Sequence, residues 1–203
     1  MIATPPAFEA LVFDVGGVII PHDNEVLCRR LAARCAAADA LAAIRVAARE
    51  PAYELGHRLI ADLHERLRHE LDYAGDWSVF VGDWCSHLTV DVAMLDYVTR
   101  LAAAQRVILF SNTNDEHWQH LLTLTDGALG RFEAYLSHEM GLGKPDLAAF
   151  AAVAERARLT PGRSLFIDDK PANVAAARRA GFIAEVFADQ PTLERYLCTH
   201  AND

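Results

Sequence analysis

Three short apolar stretches of the sequence are each followed directly by polar residues that could carry out chemistry. The stretches cover residues 11–13, 106–110 and 164–167, and their β-branched and aromatic content predicts buried strands. The residues that follow them are Asp14, Ser111 with Asn112, and Asp168 with Asp169. Because ligands bind at the carboxyl ends of the strands in parallel α/β sheets, we expect these side chains to share one site.

A lysine adds a cation to this set, since Lys144 precedes a predicted helix in the segment G-L-G-K-P of residues 141–145. Three carboxylates in one buried site would repel one another unless a cation joined them. An oxygen-only ligand set suits Mg²⁺. The lysine, the serine hydroxyl and the N–H groups of the turn at Gly16-Gly17 suit a phosphate group, and an aspartate can form an aspartyl-phosphate.

Strands and helices alternate over the second half of the chain. The predicted strands there cover residues 106–110, 132–136, 164–167 and 183–187. The predicted helices cover residues 93–104, 116–124, 146–157 and 171–180, and a last helix begins at residue 192. This alternation is typical of βαβ units and predicts an α/β fold with a parallel sheet.

The segment between the first strand and this alternating region has a different character. Helical spacing of apolar residues appears after Asn24, and a further helix is predicted to include Leu55, Leu59 and the apolar residues up to Leu67. No strand-like alternation is present, so the segment is predicted to be a helical insertion. The histidines of the predicted helices are expected to lie on solvated faces; they are His57, His64, His69, His117 and His120.

Composition narrows the class of protein. The 203 residues are 52% hydrophobic and 23% charged, which suits one domain that carries a modest insertion. The net charge of −9 argues against nucleic acid or an anionic membrane as a default partner. No apolar run approaches the roughly 20 residues of a membrane span, and residues 1–10 have no secretory-signal pattern. We therefore expect a cytoplasmic protein whose four cysteines are reduced and mostly buried.

The motifs, taken together, resemble those of the haloacid dehalogenase-like (HAD) superfamily. The segment D-V-G-G-V from Asp14 resembles motif I, S-N from Ser111 motif II, K-P from Lys144 motif III, and F-I-D-D at residues 166–169 motif IV. Each motif alone is weak, but four in order over about residues 10–190 are a specific signal. The chain resembles most the bacterial sugar-phosphate phosphatases similar to α-D-glucose-1-phosphate phosphatase, in which a segment like Y-E-L-G at residues 53–56 recurs in a helical cap.

The resemblance implies a fold and a division of the chain into a core and a cap. The fold implied is a Rossmann-like parallel sheet of order 3-2-1-4-5 with helices on both faces and the motif I strand in the centre. Residues 1–20 and 93–203 would form the HAD-like hydrolase core, and residues 21–92 would form a helical cap over the site. The chain would act as a monomer or a homodimer.

The resemblance also implies how the nucleophile and the metal are held. Asp14 would be the nucleophile and a Mg²⁺ ligand, and the Gly16 carbonyl would be a backbone ligand. Asp169 would hold Mg²⁺ directly. Asp168 and Asn173 would lie close behind it, as ligands or through water.

The remaining roles implied by the resemblance concern the phosphate. Ser111 and the N–H of Asn112 would bind phosphoryl oxygens, and Lys144 would steady both the nucleophile and the phosphate. The substrate would be a small phosphorylated metabolite, with a sugar phosphate favoured. The reaction would be hydrolysis of a phosphate monoester through an aspartyl-phosphate.

The sequence departs from the superfamily pattern at Gly16. Phosphatases of this superfamily usually carry a second aspartate at that position as the general acid and base, a function worth roughly 10²–10⁴-fold in rate. His22 or Asp23, in the loop after motif I, could replace it. Alternatively, the leaving group could be good enough to depart with help from water.

Two other functions remain open at this stage. A 2-haloacid dehalogenase also uses the strand-end aspartate as nucleophile and also lacks the second acid, but it needs no metal. A chain without the general acid could also keep the fold as a binding or regulatory protein that senses a phosphorylated metabolite. The Asp168-Asp169 pair favours a metal and therefore the phosphatase.

Overall fold

The computed structural model describes residues 8–200 and contains a five-stranded parallel sheet. The strands are β1 (Ala10–Phe13), β2 (Val107–Ser111), β3 (Glu133–Leu136), β4 (Ser164–Asp168) and β5 (Ile183–Val186). They lie in the order β3-β2-β1-β4-β5, which confirms the expected order with β1 in the centre. Residues 1–7, which include most of the segment assessed for a secretory signal, and residues 201–203 lie outside the described part of the chain.

Eleven α-helices accompany the sheet within residues 8–200. Five lie between β1 and the next part of the core: α1 (Asn24–Ala32), α2 (Ala40–Ala47), α3 (Pro51–Glu54), α4 (Ile60–Leu71) and α5 (Trp77–Trp84). The others are α6 (Val92–Ala102), α7 (Asp115–Leu124), α8 (Ser137–Met140), α9 (Leu147–Arg156), α10 (Pro171–Arg179) and α11 (Gln190–Thr199). Within residues 8–200, no helix combines the length and the apolar character needed to cross a membrane.

The central strand is buried on both faces, as its apolar sequence requires. Leu11 and Phe13 point into one core, which α6, α7 and α11 cover, while Ala10 and Val12 point into the other, which α9 and α10 cover. This alternation follows from the two-residue period of a strand. The result is a three-layer sandwich whose sheet edge at the carboxyl ends of β1, β2 and β4 stays uncovered by these helices.

The helices α1–α5 have a hydrophobic core of their own, built from residues 27–85. Its largest fully buried side chain is Phe80, and a charged group lies within it. The Asp83 carboxylate accepts hydrogen bonds from the Arg34 Nε–H and, at 3.2 Å, from the Tyr73 hydroxyl. This pairing satisfies a buried charge that would otherwise be costly.

Two stretches of chain connect these helices to the sheet, and they run side by side. The Asp23 N–H donates to the His87 carbonyl at 3.4 Å, and the Thr89 N–H donates to the Pro21 carbonyl at 3.1 Å. His22 and Leu88 form an isolated antiparallel bridge between these two bonds. The backbone at residues 21–23 is therefore fixed by the returning chain.

Several local expectations were wrong. The helix expected to include Leu55 and Leu59 is interrupted, because α3 ends before Gly56, whose φ of +67° lies in the left-handed region. Helix α4 starts only at Ile60, and Leu59 is 68% exposed.

The histidines and cysteines also differ in part from expectation. His64 is buried rather than solvated, because its Nε2 lies 3.0 Å from the Gly75 carbonyl among aromatic rings. His117 forms hydrogen bonds through both ring nitrogens. All four cysteines are free, but Cys198 is exposed.

Candidate active site

Asp14 lies immediately beyond β1, at the centre of the uncovered sheet edge. Its N–H donates to the Ile167 carbonyl at 2.8 Å, so the residue stays anchored to β4. Its Oδ1 accepts a hydrogen bond from the Val15 N–H at 2.6 Å and lies 2.8 Å from the Lys144 ammonium. Both contacts fall on one carboxylate oxygen, and Oδ2 has no hydrogen-bond donor among residues 8–200.

The Lys144 ammonium makes three contacts with protein oxygens. Its Nζ lies 2.8 Å from Asp14 Oδ1, 2.8 Å from Asp168 Oδ2 and 2.9 Å from the Phe110 carbonyl. An ammonium has three N–H donors, so each is already used. Lys144 thus joins two carboxylates and one strand end, and a phosphate could reach it only by sharing one of these donors.

The Asn112 side chain fixes the backbone of Lys144. Its Nδ2 donates to the Lys144 carbonyl at 2.8 Å, and its Oδ1 accepts from the Lys144 N–H at 2.9 Å. This two-bond clamp links the end of β2 to the loop before α9. Ser111, at the end of β2, is buried, and its hydroxyl has no hydrogen-bond partner among residues 8–200, although the residue lines the same cavity as Asp14.

The two adjacent aspartates after β4 have different surroundings. Asp168 is fully buried, and besides Lys144 it accepts a hydrogen bond from the Lys170 N–H at 2.8 Å. The Asn173 amide also donates to both Asp168 oxygens, at 3.0 and 2.9 Å. By contrast, the Asp169 Oδ1 is buried without a hydrogen-bond partner among the described residues.

The residues present fit a divalent cation. One oxygen each of Asp14, Asp168 and Asp169 lies within 4.8 Å of the others. Three carboxylates against the single Lys144 ammonium leave two formal negative charges. The Asp169 carboxylate is held close to Gly17, where a Cβ atom would lie 2.5 Å from Oδ2. An unpaired buried carboxylate oxygen is costly, and a divalent cation with oxygen ligands would satisfy it.

The pKa values of two of these carboxyl groups diverge. Burial raises the pKa of Asp14 to about 7, and the neighbouring Asp168 adds to this effect while Lys144 opposes it. Burial also acts to raise the pKa of Asp168. The Lys144 ammonium and the hydrogen bonds from Lys170 and Asn173 outweigh it and hold that pKa below its usual range. Such opposed shifts within one cleft are typical of functional sites.

The cavity above Asp14 has a volume of about 120 Å³ and lies between the sheet edge and helices α1–α5. Asp14, Gly16, Ser111, Asn112 and Lys144 line it from the sheet side. The residues that line it from elsewhere include His22, Asn24, Tyr53, Glu54, Trp84, His87, His117 and Lys170. The helical segment therefore supplies much of the wall.

Trp84 connects helix α5 to the core. Its ring stacks on His117 with centroids 5.0 Å apart and an interplanar angle of 10°. The Trp84 carbonyl lies 3.2 Å from His117 Nε2 and 3.0 Å from His87 Nδ1, so both rings donate N–H to it. Burial lowers the pKa of His87 to about 4 and that of His117 to about 3, so both rings are neutral near pH 7.

The structure brings together the residues of the four motifs, whereas Asp23, the alternative to His22, caps α1 and is not among the residues that line the cavity. Asp14, Lys144 and Asp168 are in direct contact, and Asp169 lies beside them. Sequence reasoning missed the parts of the wall that come from Trp84 and His87. No sequence signal marks them, because their place depends on how α5 packs against α7.

Comparison with known proteins agrees with this geometry. Residues 8–181 match the model of the haloacid dehalogenase-like hydrolases. A HAD family enzyme from Bacteroides thetaiotaomicron, solved in complex with magnesium and inorganic phosphate, is 25% identical with a TM-score of 0.80; the match covers 92% of this chain and 98% of that one. A HAD-like family hydrolase from Porphyromonas gingivalis is 26% identical with a TM-score of 0.81, covering 94% and 98%.

A more distant structure shares the fold alone. The L-2-haloacid dehalogenase from Xanthobacter autotrophicus is 20% identical over 95% of this chain and 83% of that one, with a TM-score of 0.61. The magnesium-bound and the dehalogenase structures therefore have the same architecture. Because the family model matches most of the chain, this protein belongs to the haloacid dehalogenase-like hydrolases.

Proposed function

We propose that this hydrolase is a Mg²⁺-dependent phosphatase that cleaves a small phosphate monoester through an aspartyl-phosphate on Asp14. The observation that carries the proposal is the unpartnered buried oxygen of Asp169 beside two further carboxylates. This arrangement needs a divalent cation, which a haloacid dehalogenase does not. The magnesium and phosphate bound to the Bacteroides thetaiotaomicron enzyme support the same reading.

In the proposed reaction, Asp14 attacks phosphorus while the bond from phosphorus to the leaving oxygen breaks. Lys144 and the Val15 N–H hold Oδ1 of the nucleophile in place. The Ser111 hydroxyl, which has no other partner among residues 8–200, donates to a phosphoryl oxygen. Water then attacks phosphorus and releases phosphate and the free Asp14.

The metal would be held by Asp14, Asp169 and the Gly16 carbonyl. Asp168 would contribute mainly by orienting Lys144, because its oxygens already accept hydrogen bonds from Lys170 and Asn173. Bound Mg²⁺ would offset the negative charge of the transferring phosphoryl group. Without it, the nucleophile would be partly protonated near neutral pH, because burial raises its pKa to about 7.

The substrate we propose is a small phosphorylated metabolite, with a sugar phosphate favoured. The cavity of about 120 Å³ is small beside the roughly 300–1,000 Å³ typical of ligand pockets. Polar groups such as Asn24, Glu54 and Lys170 line it, and hydroxyl groups could pair with them. We also propose that residues 21–92 act as a cap that excludes water from the site during the reaction.

The test is phosphate release from a panel of sugar phosphates, nucleotides and an aryl phosphate, with Mg²⁺ or with a chelator. We expect release that needs Mg²⁺ and that falls by about 10⁴-fold or more in Asp14→Asn, as for other catalytic nucleophiles. Asp115→Asn, on the exposed side of α7, is the matched control and should retain wild-type rates.

Two outcomes would contradict the proposal. Halide release from a 2-haloacid in the presence of chelator would identify a dehalogenase. Binding of Mg²⁺ and inorganic phosphate by a folded protein that hydrolyses none of these esters would identify a binding protein.

A further inference from the structure

Phosphate ester hydrolysis through an aspartyl-phosphate needs a group that moves a proton at two points. The leaving oxygen needs a proton as it departs, and the attacking water must lose one in the second step. The Lys144 and Asp168 side chains beside Asp14 are already engaged: the three Lys144 donors are used, and Asp168 accepts four hydrogen bonds from Lys144, Lys170 and Asn173.

Two histidines that line the cavity, His87 and His117, are also held by hydrogen bonds to the protein. His117 donates from Nε2 to the Trp84 carbonyl and accepts at Nδ1 from the Asn114 amide, 3.1 Å away. His87 is buried and donates from Nδ1 to the same carbonyl, while its Nε2 has no hydrogen-bond partner among residues 8–200. Both rings are thus fixed in one orientation by the protein. Asp23 is the N-cap of α1, and its Oδ1 accepts from the Glu25 N–H at 2.9 Å.

His22 differs from all of these. Neither of its ring nitrogens has a hydrogen-bond partner among residues 8–200, and its side chain is exposed to the same cavity that Asp14 lines. The ring lies against Gly16, two residues after Asp14. A Cβ atom on Gly16 would be 3.4 Å from His22 Cε1 and 3.5 Å from Nδ1, so a side chain at position 16 would begin in van der Waals contact with the imidazole.

The position of His22 is also well defined. Its backbone bridges to Leu88, and hydrogen bonds from Asp23 to His87 and from Thr89 to Pro21 flank that bridge. The ring stands edge-on to His87, with centroids 6.2 Å apart and an interplanar angle of 82°. The backbone of this loop is therefore fixed, and the imidazole lines the cavity with both ring nitrogens left without a partner among residues 8–200.

We propose that His22 is the catalytic acid and base of this site, an inference that rests on the phosphatase function proposed above. As the bond from Asp14 to phosphorus forms and the bond to the leaving group breaks, the leaving oxygen takes a proton from a His22 nitrogen. In the second step, water loses a proton to the same nitrogen while it attacks phosphorus. Asp14 and His22 are then restored, and no further reactant is consumed.

Leaving-group dependence tests this role, because kcat/KM reports only the first chemical step and a good leaving group needs no proton. For the substrates, we choose a primary alkyl phosphate and 4-nitrophenyl phosphate. We expect His22→Ala to lower kcat/KM by roughly 10²–10⁴-fold for the alkyl ester. For the aryl ester, we expect a loss of only a few-fold. Free imidazole in the assay should restore much of the alkyl ester activity of His22→Ala.

His69→Gln, at an exposed histidine on α4, is the control and should leave both rates unchanged. Glu54→Gln examines a carboxyl side chain that lines the same cavity. Equal losses for both esters in His22→Ala, or a selective loss for the alkyl ester in Glu54→Gln, would overturn the proposal for His22. Failure of the wild type to hydrolyse either ester would instead overturn the phosphatase function.

Discussion

At the scale of single residues, the site depends on how hydrogen bonds are shared between neighbouring carboxylates. Asp168 and Asp169 are adjacent in sequence, yet the first is saturated by donors and the second has a buried oxygen with none among the described residues. This difference is the basis of the orienting role that we propose for Asp168 and the metal-binding role that we propose for Asp169. It also predicts how each residue affects stability.

Replacing Asp169 by asparagine should change stability in opposite directions with and without metal. Without divalent cations, we expect Asp169→Asn to raise the free energy of unfolding by about 1 kcal/mol, because it removes the charge from a half-buried carboxylate whose Oδ1 has no hydrogen-bond partner among residues 8–200. With Mg²⁺, the wild type should gain stability by mass action, while the variant should gain little. Thermal unfolding at several Mg²⁺ concentrations measures both effects.

Asp115→Asn serves again as the control, since Asp115 is exposed on α7 and is not among the residues that line the cavity. Its melting temperature should rise with Mg²⁺ as the wild type's does. An equal Mg²⁺-dependent rise in Asp169→Asn would show that Asp169 does not bind the metal.

At the scale of elements, the short helix α3 and the turn after it connect the helical insertion to the core. The Ser137 hydroxyl, at the start of α8, donates to the Glu54 carbonyl. Gly56 approaches the same helix so closely that a Cβ atom would lie 2.3 Å from the His138 carbonyl oxygen. The turn thus places Tyr53 and Glu54 at the cavity wall.

Gly56→Ala should therefore disturb this contact as well as the backbone. The φ of +67° costs an alanine about 1–2 kcal/mol, and the clash with His138 adds to it. We expect a loss of stability larger than this backbone cost and a raised KM, because the turn can no longer sit against α8. Chemical denaturation and steady-state kinetics measure the two effects.

Gly127→Ala is a matched control, because Gly127 has a φ of +73° and no atom within 4 Å of its Cβ position. The Gly127→Ala variant should lose only the stability that the left-handed backbone costs an alanine, and its KM should be unchanged. If Gly56→Ala and Gly127→Ala lower the free energy of unfolding by the same amount, the close approach of Gly56 to His138 adds nothing to the cost of the substitution.

At the scale of the whole molecule, two neutral histidines lie where the insertion meets the core. His87 precedes the chain's return to α6, His117 belongs to α7, and both donate to the Trp84 carbonyl. Their burial holds both pKa values well below the usual value near 6.5. The unfolded chain therefore binds more protons than the folded protein at mildly acidic pH, so stability falls as the pH falls.

The pH range over which His87 affects the free energy of unfolding follows from its pKa of about 4 in the folded protein and 6.5 in the unfolded chain. Its contribution is present above pH 6.5 and is lost as the pH falls towards 4, which amounts to about 2 kcal/mol between pH 7 and pH 5. We expect His87→Gln to reduce the pH dependence of the free energy of unfolding by this amount. Denaturation at several pH values measures it.

His69→Gln, whose histidine is 81% exposed, should keep the wild-type pH dependence and is the control. An unchanged pH dependence in His87→Gln would mean that the buried ring does not resist protonation.

The sequence by itself determined the strands of the core and the residues at their ends. An apolar run such as Leu11-Val12-Phe13 has to be buried, and the Asp14 and glycines that follow it have to leave the sheet. These are local consequences of burial and backbone freedom, so the five strands and the meeting of Asp14, Ser111 and Asp168 at one sheet edge could be predicted. The strand order came from the resemblance of the motifs to a known superfamily.

Only the tertiary structure decided what depends on contacts between distant segments. The sequence left His22 and Asp23 as equal candidates, and the packing separates them, because Asp23 caps α1 while the His22 ring lies against Gly16. The close approach of Gly56 to His138, 82 positions away in the sequence, likewise appears only in the tertiary structure. Burial and hydrogen-bond saturation are properties of three-dimensional neighbours, and no local pattern in the chain encodes them.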